Sequence, residues 1–281
     1  MTISIRTITE GDVDAADAIQ AAAYGNGERR ALIRMYRRLQ PDGWIIASLD
    51  GAPAGFAGAI AYGPLAYVGL VSVLPALRRR GVARAMMDYL LEWMRSHGDP
   101  VVALDASEAG APLYEQLGFV DDEKTVVYMQ DDCAVRPRAS DLVAPLQPAD
   151  IAAVAAFDAP IFGAERAAVF RYLRAEAPDR AFVARDGSGA VAGYLFAQSS
   201  ALGPWAARSV VEAEGLLAAA LRLGYDGSPR VLAPGSNGDA ALLLMRYGFS
   251  PRRSLRHMRL GGAGPVGQRE LLYGLTSFAI G

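Results

Sequence analysis

The stretch SVLPALRRRGVARAMMDYLLEWMR, residues 72–95, runs from an apolar strand end through a proline and three arginines into an amphipathic helix opened by Gly81. From Gly81 to Arg95, the residues Val82, Ala85, Met86, Tyr89, Leu90, Trp93 and Met94 recur at the spacing that lays one helix face on a sheet. Arg78, Arg79 and Arg80 stand where a helix has unpaired N–H groups and the positive end of its dipole. Gly81 lets a ligand approach the backbone, and Ala83 keeps the next turn small. This arrangement predicts an anion site suited to a pyrophosphate.

Outside that stretch, composition narrows the function classes. A chain of 281 residues, 52% of them hydrophobic, can fill two cores of ordinary size. A formal charge of -2 supplies no global basic field, which disfavours nucleic acid as a partner. The single cysteine, Cys133, excludes an internal disulfide, and with two histidines it is too few for an ordinary zinc site, so no metal is expected. The opening MTISIRTITEGD has polar alternation instead of the apolar core of a leader, and no apolar run approaches a membrane span. These features predict a soluble cytoplasmic protein with no membrane partner, of undetermined oligomeric state.

The chain also repeats itself. QPDGWIIASLDGAPAGFAGAI (40–60) reads like APDRAFVARDGSGAVAGYLFA (177–197): Pro-Asp, a strand, an Asp-Gly turn and a second strand. SEAGAPLYEQLGF (107–119) aligns without gaps on NGDAALLLMRYGF (237–249), an offset of 130. TEGDVDAADAIQ pairs likewise with QPADIAAVAAFD, each a helix start behind a strand. The shared order of strands and helices predicts an α/β fold with a mixed, partly antiparallel sheet in two tandem domains, 1–135 and 141–281. Their boundary is placed at the polar, proline-punctuated segment around 131–143, and LLYGLTSFAIG is read as a terminal strand without an assigned position.

VSVLPALRRRGVA resembles the cosubstrate signature of the GCN5-related N-acetyltransferase superfamily: a Val-x-Val strand, a proline, then Arg-x-x-Gly-x-Ala, carried by Arg78, Gly81 and Ala83. LYEQLGF (113–119) is similar to the family's downstream helix, and the tandem arrangement resembles the two-domain group that includes holothin acyltransferase. The resemblance implies acetyl-CoA, or another acyl-CoA, as cosubstrate and a small-molecule amine as acceptor. It implies that Arg78, Arg79, Arg80, Gly81, Val82, Ala83 and Arg84 hold the pyrophosphate. It also implies that a backbone N–H within Val71, Ser72 and Val73 stabilises the oxyanion and that Tyr114 protonates the departing thiolate. Ser107 stands where many relatives carry an asparagine that contacts the CoA arm. Many relatives also place a glutamate on the strand before the loop, but LAYVGLVSVL (65–74) holds no acidic residue. Either bulk water deprotonates the amine or a base comes from elsewhere, Asp105 and Glu108 being the nearest candidates, with a helix-capping or solvated carboxylate as the competing reading of each. His97 and His257 receive no catalytic role.

Carried across the offset of 130, Arg78 falls on Arg208, Gly81 on Val211, Ala83 on Ala213 and Tyr114 on Leu244. Glu212 and Glu214 add negative charge that repels an anion. The second domain is thus expected to keep the fold and lose the cosubstrate site, Asn237 and Ala240 preserving only part of the helix motif. Two other function classes compete. One is an acyl-CoA-binding sensor or assembly subunit without turnover. The other is nucleic-acid binding through RPR (136–138) and SPRRSLRHMR, which rests on local charge alone.

Overall fold

The computed structural model describes residues 1–25, 29–98, 100–131 and 140–281. The chain forms two compact units, Met1–Leu104 with Phe278–Ile280, and Asp105–Ser277 with Gly281. The segment read as the domain boundary falls largely on 132–139, outside the described residues, as do Cys133 and the RPR tripeptide.

The first unit opens with β1 (Ile3–Thr7), α1 (Val13–Tyr24) and α2 (Arg30–Leu39), then β2 (Trp44–Leu49), β3 (Ala52–Ala61) and β4 (Leu65–Val73). It closes on α3 (Val82–Ser96) and β5 (Val101–Ala106), whose last two residues cluster with the second unit. β1 to β4 pair antiparallel in order, and β5 joins β4 in parallel. The β2–β3 hairpin turns at Asp50 and Gly51, both at positive φ, as the Asp-Gly pair predicts. On β3, a Cβ added at Gly55 would meet Met86 of α3, whereas one at Gly58 would meet Trp44, which stacks on Tyr36 of α2 with ring centroids 4.8 Å apart. Residues three apart on a strand point to opposite faces, so α2 and α3 cover the two sides of the sheet.

The apolar face of α3 differs in part from the sequence expectation. Val82, Met86, Met87, Leu90, Leu91 and Met94 are buried, while Tyr89 is exposed and Trp93 donates its indole N–H to Asp42 at 3.0 Å. The stripe is rotated toward Met87 and Leu91, because those side chains reach the sheet and the two aromatic rings lie at its margin. Each such burial contributes about 1.5–3 kcal/mol, which secures the helix whose N-terminus matters below.

The second unit comprises α4 (Ala111–Gln116), β6 (Val120–Gln130), β7 (Val143–Pro145), α5 (Ile151–Phe162), α6 (Ala167–Glu176), β8 (Ala181–Arg185) and β9 (Val191–Ala197). β10 (Ala201–Ala207), α7 (Val210–Ala220), β11 (Arg230–Pro234), α8 (Gly238–Arg246), β12 (Phe249–Leu260) and β13 (Leu272–Gly274) complete it. β6, which ends the first sequence repeat, lies between β11 and β12 and pairs antiparallel with both. That long-range pairing explains why the spatial division differs from the order of the repeats. Trp205, Leu216, Leu217, Leu243, Leu244 and Phe249 lie in one buried core.

β10 and β11 run parallel, in register at Ala201–Arg230 and Leu202–Val231. β13, the strand that the sequence left without a position, pairs instead with the far end of β10, at Trp205 and Ala206. Leu275 N–H donates to the Leu232 carbonyl of β11 at 2.8 Å. The chain's own segment therefore bridges the two strands where they part.

Candidate active site

In the first unit, β4 and β5 are in register from Leu65–Val101 to Val68–Leu104, and β4 continues through Val73. Along that continuation the register with β3 shifts, with Phe56 opposite Ser72 and Gly58 opposite Gly69, so β4 carries a bulge at Leu70 and Val71. Leu70 holds φ 56°, a left-handed conformation that costs a non-glycine residue about 1–3 kcal/mol and persists only where neighbours over-determine it. The neighbours are visible. Gln20, fully buried on α1, donates Nε2 to the Leu70 carbonyl at 2.9 Å and to Ser72 Oγ at 2.5 Å. Tyr24 donates its hydroxyl to the Val71 carbonyl at 2.8 Å.

Because a peptide unit is planar and trans, a carbonyl held toward α1 turns the next N–H the opposite way. Gln20 thereby orients the N–H of Val71, and Tyr24 that of Ser72. Both belong to the segment from which the sequence drew its oxyanion donor. Gln20 was missed because nothing local marks a glutamine in the run AIQAA as the partner of a strand so far along the chain.

Residues 74–81 join β4 to α3. Pro75–Leu77 form a 3-10 turn, Arg79 takes φ 61° and Gly81 takes φ 82° as the N-cap of α3. Arg78, Arg79 and Arg80 are exposed. Arg78 reaches back to the carbonyls of Val73 and Ala23, each at 3.4 Å, and among the described residues Arg79 and Arg80 have no ion-pair partner. Arg84 pairs with Asp88 at 3.0 Å along the helix. The first turn, with Val82 and Ala83, presents its unpaired N–H groups beside two uncommitted guanidinium groups.

A Cβ added at Gly81 would come no nearer than 3.8 Å to another group, from Ile3, so Gly81→Val would act through its positive φ and not by filling the loop. That strain is about 1–2 kcal/mol, enough to weaken CoA binding about tenfold by calorimetry. Unchanged affinity would contradict the phosphate assignment.

The remaining sequence-selected residues lie in the second unit. Tyr114, on α4, is nearly buried, its ring edge-on to Phe119 at 5.8 Å. Pro112 falls in the first turn of α4, where a missing N–H costs nothing. Ser107 is exposed, and its hydroxyl accepts from Gly110 N–H at 3.2 Å. Glu108 is exposed on the same turn.

Asp105 has a fully buried side chain that accepts from Thr125 Oγ1 at 2.5 Å and lies 3.3 Å from His257 Nδ1 on β12. Burial raises its carboxyl pKa, but the hydrogen bond and charge of His257, the Arg269 charge and the Thr125 bond outweigh that effect and hold it below the ordinary value. Its stabilising contribution is present above the unfolded carboxylate pKa of about 3.9 and is lost as pH falls through the lower folded value. Nothing local to either residue marks His257 as the partner of Asp105. Three arginines of SPRRSLRHMR also find carboxylates: Arg252 pairs with Asp131, Arg256 with Glu115 at 2.7 Å and Arg259 with Asp122 at 2.8 Å.

The corresponding junction in the second unit is built differently. Only Arg208 and Ser209 separate β10 from α7, so the uniform offset fails here and Val211 and Ala213 lie inside the helix. The Ser209 hydroxyl caps α7 by accepting from Val211 N–H at 3.2 Å, and it also contacts Glu212. Asn237 caps α8 through Ala240 N–H at 2.8 Å and donates to the Leu272 carbonyl at 2.9 Å, so both ends of its amide are committed to the fold. Leu244 is fully buried.

Residues 13–119 match the acetyltransferase (GNAT) family and residues 154–274 match an acetyltransferase (GNAT) domain. The chain is therefore a tandem two-domain member of the GNAT acetyltransferase family. It is 28% identical to a candidate acetyltransferase of Pyrococcus horikoshii, whose crystal structure superposes with a TM-score of 0.88 over 99% of this chain and 96% of that one. A GCN5-related N-acetyltransferase of Sphaerobacter thermophilus shares the fold at 17% identity, with a TM-score of 0.68 over 94% and 98% of the two chains. A mycothiol acetyltransferase of Acidothermus cellulolyticus is 33% identical over 145 residues, a match spanning 42% of this chain and 44% of that relative.

Among the described residues no helix is long and apolar enough to cross a membrane. Nor does any group of three or more His, Cys, Asp or Glu side chains among them form a metal site.

Proposed function

We propose that the protein transfers an acetyl group from acetyl-CoA to a primary amine of a small molecule, using the cosubstrate loop of its first domain. The observation carrying this reading is the contrast between the two strand–helix junctions. One is a long loop with left-handed residues, exposed arginines and an uncapped helix N-terminus. The other is a short link whose helix is capped by its own serine. A loop that one copy keeps and its repeat lacks is not demanded by the fold, which supports a binding role for it. The partial likeness to a mycothiol acetyltransferase supports a small-molecule acceptor.

In this reading the loop residues Arg78–Arg84 hold the phosphates, and bound acetyl-CoA supplies the thioester that the amine attacks. The Val71 N–H, set by Gln20, stabilises the charge that develops on the carbonyl oxygen. Tyr114 takes the family's role of returning a proton to the thiolate. Of the two carboxylates, Asp105 is committed to Thr125 and His257, leaving Glu108 as the one open to a proton from the incoming amine.

Calorimetric titration with acetyl-CoA, followed by CoA-release assays over a panel of amines, tests the proposal. One site per chain and turnover with at least one amine are expected. Two sites would show a working second domain, binding without turnover across the panel would favour a sensor, and no binding would overturn the reading.

A further inference from the structure

Phe278–Ile280 belongs with the first unit although it ends the second repeat. Ala279 and Ile280 are buried at 1% and 0% exposure. A Cβ placed on Gly69 would lie 2.2 Å from Ala279 Cα and 2.8 Å from the Phe278 carbonyl oxygen, so β4 requires a glycine here because this strip lies directly on it. Tyr62, just ahead of β4, donates its hydroxyl to the Ile280 carbonyl at 2.8 Å. The strip therefore covers β4 from the level of Gly69 toward its start and stops one residue short of the Leu70 bulge.

We propose that Phe278–Ala279–Ile280 closes the acyl end of the first domain's cosubstrate cleft and restricts the transferred group to acetyl size. This inference rests on the acyl-CoA reading above. A cosubstrate whose phosphates sit at Arg78–Ala83 is anchored past the C-terminal end of β4. Its thin arm follows the part of β4 beyond the β5 register, from Val73 back to Gly69, roughly 13 Å at about 3.3 Å per strand residue. At Val68 the edge is closed by Leu104, and above Gly69 the sheet face is filled by Ala279. An acetyl group ends within that space, whereas a longer chain must displace the strip or leave the cleft.

Calorimetry on the full chain with CoA, acetyl-CoA and hexanoyl-CoA decides the matter. CoA and acetyl-CoA are expected to bind with similar affinity, and hexanoyl-CoA about tenfold more weakly or worse. Ala279→Gly, which removes the methyl above Gly69, is expected to narrow the hexanoyl-CoA deficit while leaving acetyl-CoA affinity unchanged, and Gly69→Ala, which drives Ala279 off the strand, is expected to narrow the ratio of the two affinities. Equal binding of acetyl-CoA and hexanoyl-CoA by the wild-type chain would overturn the size limit alone, and it needs no variant to fold. A deficit unchanged in both variants would show that another element sets the limit. Failure of CoA itself to bind would overturn the acyl-CoA reading and this inference with it.

Discussion

Tyr114→Phe is expected to lower turnover about 100- to 10,000-fold, the range supplied by a positioned general acid, while leaving acetyl-CoA affinity within about twofold. The substitution suits the site. Tyr114 is packed edge-on to Phe119 in a short helix, and phenylalanine keeps the ring and that contact while removing only the hydroxyl. An unchanged circular-dichroism spectrum and melting temperature would confirm that the loss is chemical. A leaving thiolate needs its proton in the breakdown step, so the deficit should appear in kcat more than in KM. A rate equal to wild type would remove the acid role and pass it to water or another side chain.

The second large effect concerns stability. Arg166 and Asp158 form a fully buried ion pair in the second unit, with Nε to Oδ2 at 2.8 Å and Nη2 to Oδ1 at 3.0 Å. Arg166 also reaches Tyr194 Oη at 3.1 Å and Thr276 Oγ1 at 3.3 Å, and its guanidinium lies 3.8 Å from the Phe162 ring centroid. Removing one partner strands a charge in the core, so Arg166→Leu is expected to destabilise the chain by about 3–5 kcal/mol. That is a large share of the 5–15 kcal/mol typical of folded proteins. Thermal melting should fall by about 10 °C or more. Replacing both residues, Arg166→Met with Asp158→Leu, is expected to recover much of the loss, because no uncompensated charge remains. A double variant as unstable as the single one would show that the wider network with Tyr194 and Thr276, and not the pair, carries the energy.

The parts of this protein that could be read from its sequence are those in which neighbours along the chain do the work. The strand, the arginine loop and α3 follow one another directly, so their order was legible locally and the resemblance to a family signature singled out Arg78, Gly81 and Ala83, while the aligned repeats marked two similar domains. What stayed hidden depends on residues far apart in sequence. Gln20 meets Leu70 and Ser72, His257 meets Asp105, and β13 pairs with β10. None of these leaves a local pattern, because a buried glutamine or histidine is defined by what folding brings to it. The second junction shows a related limit. A fixed offset assumes equal loops, and the shortened link at Arg208–Ser209 put Val211, aligned with the N-cap Gly81, inside the helix.

The placement of β6 between β11 and β12 bears on how such a chain can evolve. A half carrying the arginine loop but cut off after Asp131 would keep β6 and lose both of its ladder partners, offering bare strand edges to any neighbouring chain. Duplicated halves ordinarily drift until the idle one is discarded. Here β11 and β12 supply both ladders of β6, so the first half depends on the backbone of the second whatever chemistry that second half keeps.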